Sequence, residues 1–196
     1  MEKQISEELL RLFEALNISD KQAQEALTRM AAAVSCGKGE QLPQRSNGEG
    51  PRYVLLRGCV CREMDTPDGR CILENILYRF GSVINPVMFT QEGENRRCIC
   101  LQDSEFVAFP IEELRKLREN VTLLQLYSHL LREALDEQSR HKYMLSLRSE
   151  EKYQWFTEHY GVIAEQIPMK VVAQFLNIDP ATLSRIRKKQ NHKQRS

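Results

Sequence analysis

The chain lacks most of what would mark it as something other than a globular protein. No apolar run approaches the ~20 residues that a bilayer crossing needs. Met1 to Leu10 is acidic and amphipathic, without the basic start and apolar centre of a secretory signal. Net charge is almost absent: 28 Lys and Arg against 27 Asp and Glu leave +1, which excludes a histone-like polycation and a polyacidic tail. Histidine is scarce, and His129, His141, His159 and His192 all fall outside the β-prone region, so a barrel enzyme with metal-bound imidazoles has no ligands there. G-x-S-x-G, P-loop and H-E-x-x-H motifs are missing. These absences predict a cytoplasmic protein that is neither enzyme nor membrane-bound, with no catalytic residue, no metal site and no required cofactor.

What is present has ordinary globular composition, 41% hydrophobic and 28% charged. A length of 196 residues predicts one large domain or two small ones. The charge is unevenly placed. From Pro168 to Ser196 there are seven basic residues and one acid, Asp179, so that end carries +6 and the remaining +1 − 6 leaves −5 on residues 1–167. A basic end on an acidic body fits a polyanion binder, and it equally fits a solvated face. Six cysteines (36, 59, 61, 71, 98 and 100) are predicted to be reduced. Cys59 and Cys61, like Cys98 and Cys100, share a strand face. They read as small buried hydrophobes, with a four-thiolate zinc site or redox switch as the alternative.

Apolar spacing predicts helix over 6–34, interrupted at Asn17 to Asp20, where Ser19 or Asp20 caps a second helix running through Met30 and Val34. A loop-rich passage with Asn47 and Gly48 follows. Between Tyr53 and Phe109 short β-prone runs alternate with turn signals, among them Thr66-Pro67-Asp68-Gly69, which predicts an antiparallel barrel or sandwich. A long helix is then expected from Glu112 to about Ser139. Its heptad seam is Leu114, Leu117, Val121, Leu124, Ser128, Leu131 and Leu135. Leu123, Leu126, Tyr127, Leu130 and Ala134 widen the apolar stripe beyond that seam, so it can face both its own barrel and a partner helix; the alternative is burial within one chain. Ser149-Glu150-Glu151-Lys152 opens a further helix that Gly161 closes. The expected domains are 1–145, with the dimer helix at about 111–140, and 146–196.

The C-terminal end is the most specific segment. Pro168 suits a first helical turn, Val172 and Leu176 lie one turn apart, Ala173 permits close approach, and Asn177 tolerates a left-handed bend. Asp179 then caps a second helix with Pro180 at its first position, and Leu183 and Ile186 anchor it. This is a helix-turn-helix pattern. Its second helix offers Ala181, Thr182, Ser184, Arg185 and Lys188 to the major groove; Arg187, Lys189 and the tail with Lys193 and Arg195 supply phosphate contacts, and Lys170 on the first helix is a further candidate DNA-binding residue.

Lys38-Gly39-Glu40, Leu56-Arg57-Gly58-Cys59-Val60, Asp68-Gly69-Arg70, Phe80-Gly81-Ser82 and the stretch from Ile178 to Arg187, in this order, resemble the Crp/Fnr family of bacterial transcription regulators over nearly the whole chain. The resemblance implies an α+β fold: an antiparallel, cyclic-nucleotide-binding-like β-roll with flanking helices, a long dimerisation helix and a small all-α helix-turn-helix domain. Its implied partners are double-stranded DNA with a palindromic site, a second copy of the chain through Leu117, Val121, Leu124, Ser128, Leu131 and Leu135, and RNA polymerase. The family's cyclic-AMP-binding members carry Gly-Glu where this chain has Gly81-Ser82, and Arg-Ser or Arg-Thr where it has Arg97-Cys98. Arg62 stands where an apolar pocket residue is usual. The implied effector pocket (Arg62, Gly81, Ser82, Arg97 and Cys98) therefore fits an unknown small, anionic molecule better than cyclic AMP, unless Arg62 and Arg97 pair internal acids or face solvent. Only a short polar stretch follows the recognition helix, so the family's β-hairpin wing is expected to be missing. The function expected is effector-modulated, sequence-specific transcription regulation. The alternatives are a ligand-binding or protein-docking dimer without specific DNA binding, and a constitutive DNA binder with a vestigial pocket.

Overall fold

The computed structural model describes residues 2–43, 50–84 and 96–193; Asn47, Gly48, Arg195 and the Lys193 side chain lie outside that description. Two helices open the chain, α1 (Glu2–Ala15) and α2 (Lys21–Met30). Of the two candidate caps for α2 the structure uses Asp20, whose carboxylate accepts from Gln22 N–H at 2.9 Å. The helix does not continue to Val34. Residues Ala32–Cys36 form strand β1, because their antiparallel register with Ser104–Phe109 takes up the backbone groups that a longer helix would have used.

The remaining strands are β2 (Arg52–Arg57), β3 (Val60–Asp65), β4 (Cys71–Leu77), β5 (Arg96–Cys100) and β6 (Ser104–Phe109). They make two antiparallel three-stranded sheets, β1-β6-β2 and β4-β3-β5. Hydrogen bonds from the segment 39–42 to β5 and from 81–84 to β2 stitch the sheets into a roll. Gly58 turns the chain from β2 into β3 with φ +110°, and a Cβ there would come within 2.7 Å of Ser104 Cα, so only glycine fits the turn.

Both sheets are covered on both faces. The inner faces meet in a core of Leu42, Tyr53, Leu55, Val60, Ile84, Cys98, Cys100 and Phe106. Outside the first sheet, Val54, Val107 and Phe109 pack under Leu9, Leu12, Phe13 and Leu27 of α1 and α2. This two-sided burial explains why β2 and β6 read as nearly continuous apolar runs.

After Pro110 the expected single helix is two. A short α3 (Ile111–Lys116) ends in a turn, and α4 (Val121–Ser146) starts afresh and runs beyond the expected end. Asn120 causes the break: its side chain accepts from Leu123 N–H at 3.0 Å and donates to Asp20 at 3.0 Å, tying the starts of α2 and α4 together. The Asn120 bond, with that from Gln22, holds the Asp20 carboxyl below its ordinary pKa. Leu117 therefore falls in the turn before α4 and lines an apolar groove with Leu12, Leu16 and Leu123, instead of continuing the seam. Along α4 only Met144 is buried, and Val121, Leu124 and Leu135 are exposed at 66%, 40% and 63%.

The C-terminal part comprises α5 (Ser149–Tyr160), a 3₁₀ turn (Gly161–Glu165), α6 (Met169–Leu176) and α7 (Pro180–Lys193). Arg148, not Ser149, occupies the cap position of α5; its N–H donates to Glu151 at 2.9 Å. Lys152, Phe156 and Tyr160 are buried at four-residue spacing, the inner stripe of an amphipathic helix. The outer face of β4-β3-β5 contributes Cys59, Cys61, Leu73 and Ile76 to the same apolar cluster as Phe156, Tyr160, Val172, Phe175, Leu176 and Leu183. The C-terminal helices are thus seated directly on the second sheet.

Candidate nucleic-acid interface

The helix-turn-helix is built by local chemistry. Asn177 takes the left-handed conformation (φ 50°, ψ 55°) at the end of α6, and its N–H bonds to the carbonyls of Ala173 and Gln174. Asp179 Oδ1 accepts from Ala181 N–H at 3.0 Å and Thr182 N–H at 3.1 Å, capping α7, and Pro180 fills the position where a missing N–H costs nothing. Val172, Ala173, Leu176, Leu183 and Ile186 are all buried between the helices.

With that face inside, α7 turns Ala181, Ser184, Arg185 and Lys188 to solvent as one stripe at positions i, i+3, i+4 and i+7. Lys170 is exposed at the start of α6. Thr182 and Arg187 are half-buried on the flanks of the stripe. Lys189 is exposed but reaches back to Glu150 of α5 at 2.8 Å. Among the described residues neither Arg185 nor Lys188 has an ion-pair partner, so both cations of the central stripe are available to phosphate or base.

Two residues that the sequence reading left out hold this unit in place. Lys152 donates from Nζ to the Leu176 carbonyl at 3.1 Å, and His141 Nε2 lies 3.2 Å from the Phe175 carbonyl with its ring stacked on Phe175 at 4.4 Å. Both close orphan carbonyls at the end of α6, one from α5 and one from α4. The four-residue spacing of Lys152 with Phe156 and Tyr160 was the available signal for the first; His141 had none of comparable strength. Burial pushes the His141 pKa down against the opposing pull of the Phe175 carbonyl.

The five residues expected to form an effector pocket do not converge. Arg62 pairs with Cys98 across the strands, and both face the inside of the roll; Glu63 pairs with Arg97, and both face outward. Arg97 is bound to Glu63 at 2.8 Å and to Asp65, and its Nη2 lies 3.4 Å from Cys71 Sγ. The Glu63 contact raises its pKa further. Arg96, one residue earlier, is the inward-facing arginine. Gly81 and Ser82 lie beside β2, Gly81 N–H donating to the Leu55 carbonyl and Leu55 N–H to the Ser82 carbonyl, each at 2.9 Å.

The cysteine pairs also separate. Cys59 and Cys61 belong to the outer cluster and Cys98 and Cys100 to the inner one, so the sheet stands between them and no four-thiolate centre can form. Burial raises the Cys59 and Cys61 thiols to about 12, which keeps them protonated and unreactive. Among the described residues no group of three or more His, Cys, Asp or Glu side chains is placed to hold a metal ion, and no helix is long and apolar enough to cross a membrane.

No protein-family model and no curated protein matches the chain. Solved structures do. FixK2 from Bradyrhizobium japonicum is similar with a TM-score of 0.69 at 14% identity, over 83% of this chain and 85% of that one. CLP of Xanthomonas campestris, a c-di-GMP-responsive global regulator, is similar at 0.69 and 13%, over 89% and 93%. A Crp/Fnr-family transcriptional regulator from Eubacterium rectale is similar at 0.69 and 12%, over 93% and 88%. With its roll, long helix and helix-turn-helix in this order, the chain has the fold of the Crp/Fnr-family transcriptional regulators.

Proposed function

We propose that the protein is a dimeric, sequence-specific DNA-binding transcription regulator. The observation that carries this reading is the outward stripe of α7: a capped, well-anchored helix presenting Ala181, Ser184, Arg185 and Lys188 with its central cations unpaired among the described residues. Such a helix fits the major groove, with Arg185 able to give a bidentate pair to guanine. Dimerisation through α4 is supported by the exposure of Val121, Leu124 and Leu135, a row of apolar side chains that a second copy would cover. Ser128 is exposed and Leu131 half-buried on the same helix, within the proposed contact. A two-fold dimer reads a palindrome whose half-sites lie one helical turn apart, about 34 Å.

Selection from random duplex DNA followed by footprinting tests the reading. Enrichment of a palindrome with two protected half-sites is the expected result. Recovery of unrelated sequences bound with equal affinity would refute it, and would favour a dimer whose basic end docks a protein.

A further inference from the structure

A charged cluster inside the roll is not used by the DNA-binding surface. Regular alternation would send Glu74 and Asn75 to opposite faces of β4. A β-bulge overrides it: Arg62 pairs with Asn75 and Glu63 with Leu73, leaving Glu74 as the extra residue, turned inward beside Asn75. Its carboxylate lies 3.1 Å from Arg62 Nε on β3 and 3.0 Å from Arg96 Nε on β5, and Arg96 Nη2 completes a fork at 3.2 Å. Arg62 and Glu74 are only 15% and 17% exposed, and Arg62 Nη1 also approaches the Ile84 carbonyl at 3.4 Å, against the inner core.

Two guanidinium groups side by side, Arg62 largely buried and Arg96 34% exposed, are what a small phosphate- or carboxylate-bearing ligand recruits, because each planar fork matches a pair of oxygens. In this chain those forks hold a carboxylate of the chain itself. We propose that Glu74 is a built-in ligand: it fills the anion site made by Arg62 and Arg96, so the roll takes up no small anionic effector and the protein binds its DNA site without one. The last clause rests on the DNA-binding reading; the occupancy of the anion site does not. Removing the carboxylate would leave the largely buried Arg62 without its carboxylate beside a second cation, a costly state that a free anion relieves.

The test is calorimetric titration of inorganic phosphate and of cyclic AMP into the wild-type protein, Glu74→Gln and Glu74→Ala. Wild type is expected to give no saturable binding, and the variants to bind at least one probe at least about tenfold more tightly. Melting curves add a second readout: phosphate should raise the midpoint of each variant more than that of wild type, through binding to the folded state. Saturable binding to wild type as tight as to the variants, no binding to either variant, or equal midpoint shifts would each overturn the proposal. So would a wild-type protein that shifts its selected DNA only when one of these anions is added. If no form of the protein binds a selected sequence under any condition, the DNA-binding reading fails, while the titrations still decide the role of Glu74.

Discussion

Replacing Arg185 with alanine tests base reading by α7 with little disturbance to the fold. The side chain is exposed and has no ion-pair partner among the described residues, and the helix is held by Leu183 (0% exposed) and Ile186 (6%) on its other face. Stability should therefore change by no more than about 0.5 kcal/mol, the usual range for such surface changes. A bidentate arginine–guanine pair is worth about 1–3 kcal/mol of discrimination. A two-fold dimer forfeits it in both half-sites, so the selected palindrome should bind roughly 30-fold to 10⁴-fold more weakly. A scrambled duplex should be bound much as before, because most phosphate contacts survive. Lys188→Ala is the control from the same stripe: as a phosphate-neutralising cation it should weaken both duplexes alike and lower the salt slope by ~0.9 for each phosphate left without its lysine. Fluorescence anisotropy on the two duplexes at several salt concentrations, with a melting curve of each variant, measures all of this. Equal weakening on both duplexes by Arg185→Ala, or a loss that tracks a fall in melting midpoint, would refute base reading by this residue.

Leu135→Glu places a charge on the exposed row of α4 and should convert a dimer to a monomer in sedimentation without unfolding it; an unchanged mass would remove α4 from the interface. Phe175→Ala removes a ring that packs on His141, Phe156 and Tyr160, and should cost about 3–5 kcal/mol in denaturant unfolding; a loss below about 1 kcal/mol would mean the helices are not seated there. Burial lowers the pKa of His141 and of His159, so between their folded values and the unfolded ~6.5 the unfolded chain binds more protons. Their contribution to stability is complete above about pH 6.5 and lost as pH falls through the folded values. His141→Phe keeps a ring on Phe175 and removes one titration, so its melting midpoint should fall less than that of wild type between about pH 7 and about pH 5; parallel curves would clear His141 of the role.

The helix-turn-helix was legible because each of its signals is local. Asn177 at the bend, Asp179 at the cap, Pro180 beside it and the spacing of Leu183 and Ile186 need no distant partner to be read, and each falls where the sequence puts it. Strand β1 was not legible for the opposite reason. Ala32 and Ala33 prolong the apolar spacing of α2, and only pairing with Ala108 and Val107 across the chain makes them a strand. The break before α4 is different: the heptad period runs through Leu117 undisturbed and masked a local signal, Asn120, which caps α4 at Leu123 and also meets Asp20, 100 positions away. The error over Arg97 was of another kind. Cys98 and Cys100 are inward residues, so alternation alone should have sent Arg97 outward and Arg96 in.

The bulge at Glu74 was beyond reach, since a period-two reading of β4 has no place for an extra residue, yet it sits on a strand that the two halves of the molecule share. Strands β3, β4 and β5 carry the Arg62–Glu74–Arg96 cluster on one face and the seat of the C-terminal helices on the other. Leu73, adjacent to Glu74, is buried in that seat, and Cys71, two residues before it, receives Gln174 of α6 through its carbonyl at 3.1 Å. A one-residue shift of register there would exchange the faces of every side chain beyond the bulge. The strand that carries this carboxylate inward also carries Leu73 and Cys71 under α6. The backbone of β4 thus carries the inner charged cluster on one face and the seat of the C-terminal helices on the other.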